Sequence, residues 1–245
     1  MTPRISLIIP AYNEEALLPR LLESVDIAST RFSADADSVE VIVVDNDSTD
    51  DTARLAEAAG CRVLSEKRRC IATVRNTGAS AASAPTLCFV DADSVLHPEI
   101  FSAVLEASRN ERIVAGSSRV RPEVWSFGLW VSFHLTMPPM WLLGLDTGLF
   151  FIRRSDFRTL GGYPEDRQYA EDIQLYLAAR RLGRSRSPRQ RLARLRGVRT
   201  ITSTRKFDKH GDWHLLTTLV RYVLLRPFKP RWADEFSQRY WYEDR

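Results

Sequence analysis

The sequence has few cysteines, and they form no recognisable motif. Its 245 residues include only three, Cys61, Cys70 and Cys88, at scattered spacings. An odd number of cysteines at these spacings argues against a disulfide framework and against a structural zinc site. The N-terminal MTPRISLIIP also lacks the long apolar core and the cleavage site of a signal peptide. Together these absences predict a cytoplasmic protein.

The sequence has no uninterrupted apolar run of the ~20 residues that a membrane span needs. The most apolar region, residues 124–152, is interrupted by His134, Pro138-Pro139 and Asp146. We expect core packing there, with an apolar acceptor wall or a membrane contact as the alternative. The basic and apolar stretch 215–232 either lies on a membrane surface or packs on the domain. Peripheral contact with the inner face of the membrane is therefore left open.

Acidic residues are absent between Asp172 and Asp208, where eleven Arg or Lys residues occur. This imbalance, in a chain of net charge +4, suggests an anionic partner for the second half. A phosphate-bearing substrate, a membrane surface and nucleic acid all meet that description. The alternative interpretation of residues 183–197 is a solvated basic loop.

The first half alternates continuously apolar runs with helical patterns. Strands are predicted at 5–10, 39–45, 61–65, 86–91 and 112–120. Helices are predicted after Asn13, after Ser48 or Thr49, over 71–83 and after Pro98, with the named polar residues as N-terminal caps. Gly60 is expected to end the second of these helices. Buried strands alternating with helices predict an α/β fold, a mostly parallel Rossmann-like sheet covered on both faces.

The second half is less regular. Residues 148–164 predict a strand, a short helix and a Gly-Gly turn. Residues 169–183 predict a helix with Glu171-Asp172 in its first turn, where carboxylates are stabilised by the helix dipole. Residues 198–204 predict a late strand. We divide the chain into a catalytic domain, 1–204, with halves 1–117 and 118–204, and a basic, aromatic helical extension at 205–245.

The residues after the predicted strands carry the functional signal, because ligands of such sheets bind at the carboxyl ends of the strands. Asp91-Ala92-Asp93 follows the fourth strand. In extended geometry both carboxylates point the same way, with Cα atoms roughly 6–7 Å apart. Mg²⁺ and Mn²⁺ favour such oxygens together with substrate phosphates. The alternative is a capping turn in which Asp93 or Ser94 begins the next helix.

Four motifs in order resemble the family-two glycosyltransferases, nucleotide-sugar enzymes with a GT-A fold. They are IIPAYNEEALLPRLLES (8–24), VIVVDNDSTDDT (41–52), RNTGASAASAPTLCFVDADS (75–94) and GGYPEDRQYAEDIQLYLAARRLG (161–183). The resemblance covers roughly residues 4–183. It implies a hexosyltransferase-type enzyme that uses a UDP-, GDP- or dTDP-sugar donor, with Mn²⁺ or Mg²⁺ as cofactor. The acceptor is expected to be a glycan, a lipid-linked molecule or a small molecule.

The resemblance also implies residue roles. Residues Pro10, Ala11, Tyr12, Asn13 and Glu14 would line the base and ribose pocket, and Asp45 would bond the base or ribose. Arg75 would face the base or a phosphate. Asp91 would contact ribose and metal, Asp93 would be the main metal ligand, and the small Ala92 would let the nucleotide lie close. In the Glu171-Asp172 pair, Asp172 would be the general base of an inverting transfer.

Three further residues come from the loop after the late strand. Some GT-A enzymes place a histidine there as a third metal ligand, and His210 stands in a comparable polar loop. The alternative is a solvated surface histidine. Arg205 and Lys206 are candidates for contacting the diphosphate.

The chain departs from the family in two places. Asn46-Asp47 replaces the frequent Asp-Gly, which adds a negative charge near the pocket. The Gln-x-x-Arg-Trp motif of processive members is absent, so a non-processive enzyme is expected.

Two other functions were weighed. A sugar nucleotidyltransferase would need a Gly-rich phosphate loop after the first strand, where this chain has PAYNEE. A non-catalytic basic module for membrane or nucleic acid would be indifferent to Asp93. The carboxylate-rich strand ends argue against nucleic acid as a partner.

Overall fold

The computed structural model describes residues 3–32, 39–142, 146–165, 171–205, 207 and 211–213. Its strands are β1 (Ile5–Ala11), β2 (Val39–Asp45), β3 (Arg62–Ser65), β4 (Thr86–Phe89), β5 (Ser94–Val95), β6 (Ile113–Pro122), β7 (Phe150–Arg153) and β8 (Arg191–Thr202). Its helices are α1 (Leu18–Arg31), α2 (Thr52–Ala58), α3 (Ile71–Ala81), α4 (Ile100–Arg109), α5 (Phe127–Leu142), α6 (Arg154–Leu160) and α7 (Glu171–Ser185). Strands and helices alternate, as predicted.

The strands form one eight-stranded sheet in the order β3-β2-β1-β4-β7-β6-β8-β5. The first four neighbours, β3 to β4, are all parallel. Every residue of β1 is buried, because helices cover both faces of the sheet at its centre. One apolar core lies between the sheet and α1, α2 and α4, and the other between the sheet and α3, α6 and α7.

The second half of the sheet is mixed. β7 runs antiparallel to both β4 and β6, while β6 and β8 are parallel. β8 starts at Arg191, so the interpretation of 183–197 as a loop is wrong for residues 191–197, which belong to β8, and residues 191–194 pair with β6. The boundary placed at residue 117 falls inside β6. The predicted extension at 205–245 lies almost wholly outside the described residues.

The predicted helix caps are wrong. α1 begins at Leu18, and Asn13 lies in the turn before it. α2 begins at Thr52 after Asp51, and α4 begins at Ile100 after Glu99, and no side chain caps either helix by a hydrogen bond. The capping interpretation of Asp93 is therefore also wrong. These polar residues form hydrogen bonds with neighbouring loops instead, because many backbone groups at the strand ends have no partner within a helix or a strand.

Helix α3 approaches the sheet unusually closely at Gly78. A Cβ atom at this position would lie 2.5 Å from Cγ2 of Ile8 in β1 and 2.9 Å from Cγ2 of Val44 in β2. Only a residue without a side chain fits between these branched residues. The contact fixes the height of α3 above the strands, and α3 carries Arg75.

Candidate active site

The ends of β1 and β2 are joined by polar contacts. The amide of Asn13 donates to Oγ of Ser48 at 3.0 Å, and Oδ1 of Asn13 accepts from the amide of Thr49 at 2.9 Å. Asn13 and Asp47 both have left-handed φ angles, of 50° and 61°. Asn and Asp tolerate this conformation better than other side chains. Asp47 thus adopts the turn for which the family often uses glycine.

Asp45 is the last residue of β2, and the two oxygens of its carboxylate have different surroundings. Its Oδ2 accepts from the amide of Ser48 at 3.4 Å. Its Oδ1 is buried and has no hydrogen-bond partner among the described residues. A buried oxygen of this kind costs free energy unless a donor reaches it. Asp45 is therefore suited to accept a hydrogen bond from a ligand.

Arg69, in the loop after β3, is a site residue that the sequence reasoning missed. Its guanidinium carbon lies 3.9 Å from the centre of the Tyr12 ring, and Nη2 lies 3.6 Å from a carboxylate oxygen of Asp47. This ion pair balances the charge that Asp47 adds near the pocket. The same rule that selected the ends of β1, β2 and β4 would have found Arg69 if it had been applied to β3.

Arg75 is the centre of the carboxylate cluster. Its side chain is buried, and it donates to Oδ1 of Asp91 at 2.9 Å, to Oε1 of Glu171 at 2.8 Å and to Oδ1 of Asp172 at 2.9 Å. The Tyr163 ring centre lies 5.2 Å from its guanidinium carbon. One buried cation therefore joins the Asp-x-Asp segment to the Glu-Asp pair of α7.

The two acids of the Glu171-Asp172 pair have different surroundings. The Glu171 side chain is 5% exposed, whereas half of the Asp172 side chain opens to the cleft. The Asp172 carboxyl lies at the base of a cleft surrounded by protein, and this partial loss of solvation, together with the charges of Glu171 and Asp91, raises its pKa to about 7 although Arg75 lowers it. Asp172 can therefore exchange a proton near neutral pH, and Glu171 mainly holds Arg75.

A cleft of about 680 Å³, including space open to solvent, lies against this cluster. Its walls come from β4, β6, α7 and β8 and from the segment before β7. The lining residues are Arg75, Phe89, Val90, Asp91, Ser94, Val120, Asp146, Thr147, Gly148, Phe150, Tyr163, Asp172, Ile173, Tyr176, Thr200 and Thr202. Asp172 and Asp91 thus face one space, although 80 residues separate them in the sequence.

The remaining predicted residues are placed as follows. Pro10, Ala11 and Ala92 are buried, and Tyr12 is half-buried. Glu14 is buried and paired with Arg205, which connects the end of β1 to the segment after β8. Lys206 and His210 lie outside the described residues.

Asp91 and Asp93 offer the oxygen donors that Mg²⁺ and Mn²⁺ prefer. The Asp91 side chain remains 38% exposed beside Arg75, and the carbonyl of Asp93 accepts from the amide of Ser203 at 3.1 Å. Within the described part of the chain, no three acidic, histidine or cysteine side chains are clustered as metal ligands. The extended geometry predicted for the two carboxylates is wrong, because β4 ends at Phe89 and residues 92–93 form a turn in which the amide of Ser94 donates to the carbonyl of Asp91 at 3.2 Å. Asp91 and Asp93 would therefore supply only part of the coordination of a cation, with a diphosphate and water as its other ligands.

The fold and the acidic strand ends define the class as the GT-A fold of glycosyltransferases. The S. aureus protein TarS aligns over 85% of this chain and 63% of its own, at 17% identity and a TM-score of 0.61. A mannosyltransferase from Pyrobaculum calidifontis, solved with GDP-Man and Mn²⁺, aligns over 82% of this chain and 57% of its own, at 20% identity and a TM-score of 0.63. At these identities the likeness shows the fold.

The sequence itself gives the family. The sequence model of glycosyl transferase family 2 matches residues 6–163, and the chain belongs to that family. An uncharacterized glycosyltransferase of Mycobacterium bovis is 29% identical over 140 residues, which are 57% of this chain and 59% of that protein. The validoxylamine A glucosyltransferase of Streptomyces hygroscopicus is 33% identical over 111 residues, 43% of this chain and 24% of that protein. The chain thus matches less than two thirds of the length of these relatives.

Proposed function

We propose that the protein is a non-processive, inverting glycosyltransferase that moves a sugar from a nucleotide diphosphate to an acceptor hydroxyl with the help of a divalent cation. The observation that carries the proposal is the Arg75 cluster. It presents Asp91 and Asp172 to one cleft and holds Asp172 where its pKa is raised to about 7. A general base acts best when its pKa lies near the working pH.

Donor binding is assigned to the ends of β1, β2 and β4. The buried Oδ1 of Asp45 is suited to accept an N–H of the base or a ribose hydroxyl. Tyr12 and Arg69 form the adjoining wall, and Arg69 is an additional cation near the diphosphate. In support, structural neighbours have been solved with UDP-GlcNAc and with GDP-Man.

The transfer step uses Asp172. Oδ1 is held by Arg75, and Oδ2 takes the proton of the acceptor hydroxyl. As that proton leaves, the acceptor oxygen bonds to the anomeric carbon, and the bond from this carbon to the diphosphate oxygen breaks. Attack from the side opposite the leaving group inverts the anomeric configuration. Asp91 and Asp93 would hold the Mn²⁺ or Mg²⁺, which would neutralise charge on the departing diphosphate.

The first test is donor binding. A thermal-shift panel of UDP-, GDP- and dTDP-sugars with and without Mn²⁺ should give one donor that raises the melting temperature only with the metal, because binding to the native state stabilises it. Asp93→Ala should abolish that shift. A panel in which no nucleotide-sugar raises the melting temperature contradicts the proposal.

The second test is transfer by Asp172→Asn, measured with the donor so identified. We expect a loss of about 10²–10⁴ in rate because the general base is missing. The fold should survive, since Asn cannot carry the charge that burial disfavours at this position. Asp26→Asn, at an exposed position of α1, is the matched control and should transfer normally. Equal rates for the two variants would remove Asp172 from the mechanism.

A further inference from the structure

The outward face of α5 is apolar, in contrast to the usual arrangement of a surface helix. Its buried positions are Leu129, Ser132 and Thr136, which are 2%, 0% and 8% exposed. With 3.6 residues per turn, these three share one side of the helix. The opposite side carries Phe127, Trp130 and Leu135, which are 77%, 50% and 58% exposed. The sequence of α5 contains no charged residue.

The buried hydroxyls explain how this orientation is tolerated. Oγ1 of Thr136 donates to the carbonyl of Ser132 at 2.8 Å, and Oγ of Ser132 donates to the carbonyl of Asp212 at 3.5 Å. The hydroxyls thus have partners, so they can be buried at modest cost.

The exposed aromatic rings are compensated only in part. The centroid of the Trp130 ring lies 4.4 Å from that of His134, and the centroid of Trp125 lies 5.3 Å from that of Phe133, while the rest of these rings and most of Phe127 contact water.

The apolar face extends beyond the helix. Val124 and Trp125 precede α5 and are 61% and 37% exposed, and Trp213, 47% exposed, passes close to Gly128. Contiguous apolar surface of this kind marks an interaction site, whereas single exposed residues do not. We call Val124, Trp125, Phe127, Trp130, Leu135 and Trp213 the apolar patch.

Arginines without a counter-charge adjoin the apolar patch. Arg119 of β6 lies directly opposite Arg199 of β8, and Arg121 follows two residues later on the same face of the sheet. All three are exposed, and none forms a salt bridge with another described residue. Like charges directly opposite each other on neighbouring strands are destabilising. Arg121 stands three residues before Val124, so the arginines of β6 and the apolar patch are neighbours along the chain, with Pro122 and Glu123 between them.

We propose that the apolar patch and Arg119, Arg121 and Arg199 together form a docking surface for a bilayer with anionic headgroups. Arginines attract such a surface electrostatically, and tryptophans favour the boundary between headgroups and acyl chains. A second copy of the chain fits less well, since a symmetric contact would bring the arginines of two subunits together. No helix in the described part of the chain is long and apolar enough to cross the bilayer, so the contact is peripheral.

The apolar patch adjoins the cleft along the chain, although alternation along β6 points Arg119 and Arg121 to the face of the sheet opposite Val120. Val120 of β6 lines the cleft just before the apolar patch begins, and Thr147 and Gly148 line it a few residues after α5. If the proposed transfer activity holds, the expected acceptor is a lipid-linked compound whose hydroxyl lies near the lipid headgroups. This corollary rests on the proposed function, whereas vesicle binding does not.

The test is sedimentation of the full chain with vesicles of phosphatidylcholine alone and with about one third phosphatidylglycerol. We expect stronger binding to the anionic vesicles, and quenching of tryptophan fluorescence by brominated lipid. The triple variant Arg119→Gln/Arg121→Gln/Arg199→Gln should lose about fivefold in affinity for each arginine. Phe127→Ser/Trp130→Ser should lose about tenfold for each aromatic residue.

Matched controls separate this effect from general changes in charge or hydrophobicity. Arg109→Gln/Arg158→Gln/Arg184→Gln removes the same charge from exposed positions elsewhere, and Ile27→Ser removes an exposed apolar side chain from α1. Both should bind as the unmodified protein does. If Phe127→Ser alone unfolds the protein, the patch is covered by the chain itself and the proposal fails.

Three further results would overturn the proposal: no binding of the unmodified protein to either vesicle, equal losses in the control variants, or a dimer in solution that the patch variants dissociate. Because the assay needs no donor, an inactive protein that binds vesicles would contradict only the proposed function.

Discussion

Helices α1 and α5 have similar lengths, 14 and 16 residues, but they distribute their apolar residues in opposite ways. α1 buries Leu18, Leu21 and Val25 and turns charged residues outward. α5 buries Leu129 together with two hydroxyl residues, Ser132 and Thr136, and turns aromatic rings outward. The core accounts for α1, whereas α5 needs surroundings outside the described fold to account for its sequence. An apolar helix face thus indicates contact with some apolar surroundings, and the pattern alone does not say whether these are the protein core or something else.

Two groups of arginines differ in a comparable way. In the donor half, Arg62 pairs with Glu40, Arg68 with Glu165 and Arg69 with Asp47. In the other half, Arg119, Arg121 and Arg199 form no salt bridge with any residue the structure describes. Arg153, Arg186 and Arg194 of that half do form salt bridges, so the contrast concerns Arg119, Arg121 and Arg199 and not the half as a whole. The halves meet at Arg75, and changes there should have the largest effect.

Replacing Arg75 by Met should destabilise the fold by roughly 3–5 kcal/mol, because it leaves the buried Glu171 carboxylate without its cation. Urea unfolding followed by circular dichroism measures the loss. Arg75→Lys keeps a charge but cannot hold three carboxylates with the same geometry, so an intermediate loss is expected. Arg54→Met, which removes an exposed ion pair with Asp51, is the control. Equal stabilities of Arg75→Met and Arg54→Met would show that the cluster does not join the halves.

The contrast between the helices can be measured directly. Leu21→Ala in α1 should lower the free energy of unfolding by about 2–5 kcal/mol, because the side chain is fully buried. Phe127→Ala in α5 removes a larger side chain that is 77% exposed, and should change it by only about 0.5 kcal/mol. Thermal and urea unfolding of both variants provide the measurement. If Phe127→Ala lowered the free energy of unfolding as much as Leu21→Ala does, the two helices would not differ in the way described.

The smallest expected effect is a shift of the pH profile. Transfer requires ionised Asp172, so the rate should fall about tenfold per pH unit below the pKa of this group. Glu171→Gln removes a negative charge that raises the pKa of Asp172, so the acidic limb should move to lower pH. Glu106→Gln, at an exposed position of α4, should leave the limb in place. A shift of the Glu171→Gln limb to higher pH would contradict the assigned electrostatics.

Periodicity predicted the parallel half of the fold well. The apolar runs at 5–10, 39–45 and 86–91 predicted buried strands, and the ends of the last two identified Asp45 and Asp91. The caps were wrong because Asn13, Ser48 and Thr49 form hydrogen bonds with one another across two loops, and no local pattern reports such contacts. The Arg75 cluster was out of reach, since its partners lie up to 97 residues away. Core packing was predicted for 124–152, and it holds for Leu129 and for 149–152 but not for Phe127, Trp130 and Leu135, because periodicity does not say which face of a helix is buried.

The close approach of Gly78 to Ile8 has a consequence for the chemistry. Gly78 lies one turn after Arg75 on α3, so both residues belong to the same side of the helix. Their spacing from the sheet is thereby set by van der Waals contact between carbon atoms, which is stiff at short range. The guanidinium of Arg75, which holds three carboxylates, is thus positioned in part by a contact between hydrocarbon groups. A methyl group added by Gly78→Ala, one helical turn from the charges, is therefore expected to displace Arg75 from its partners.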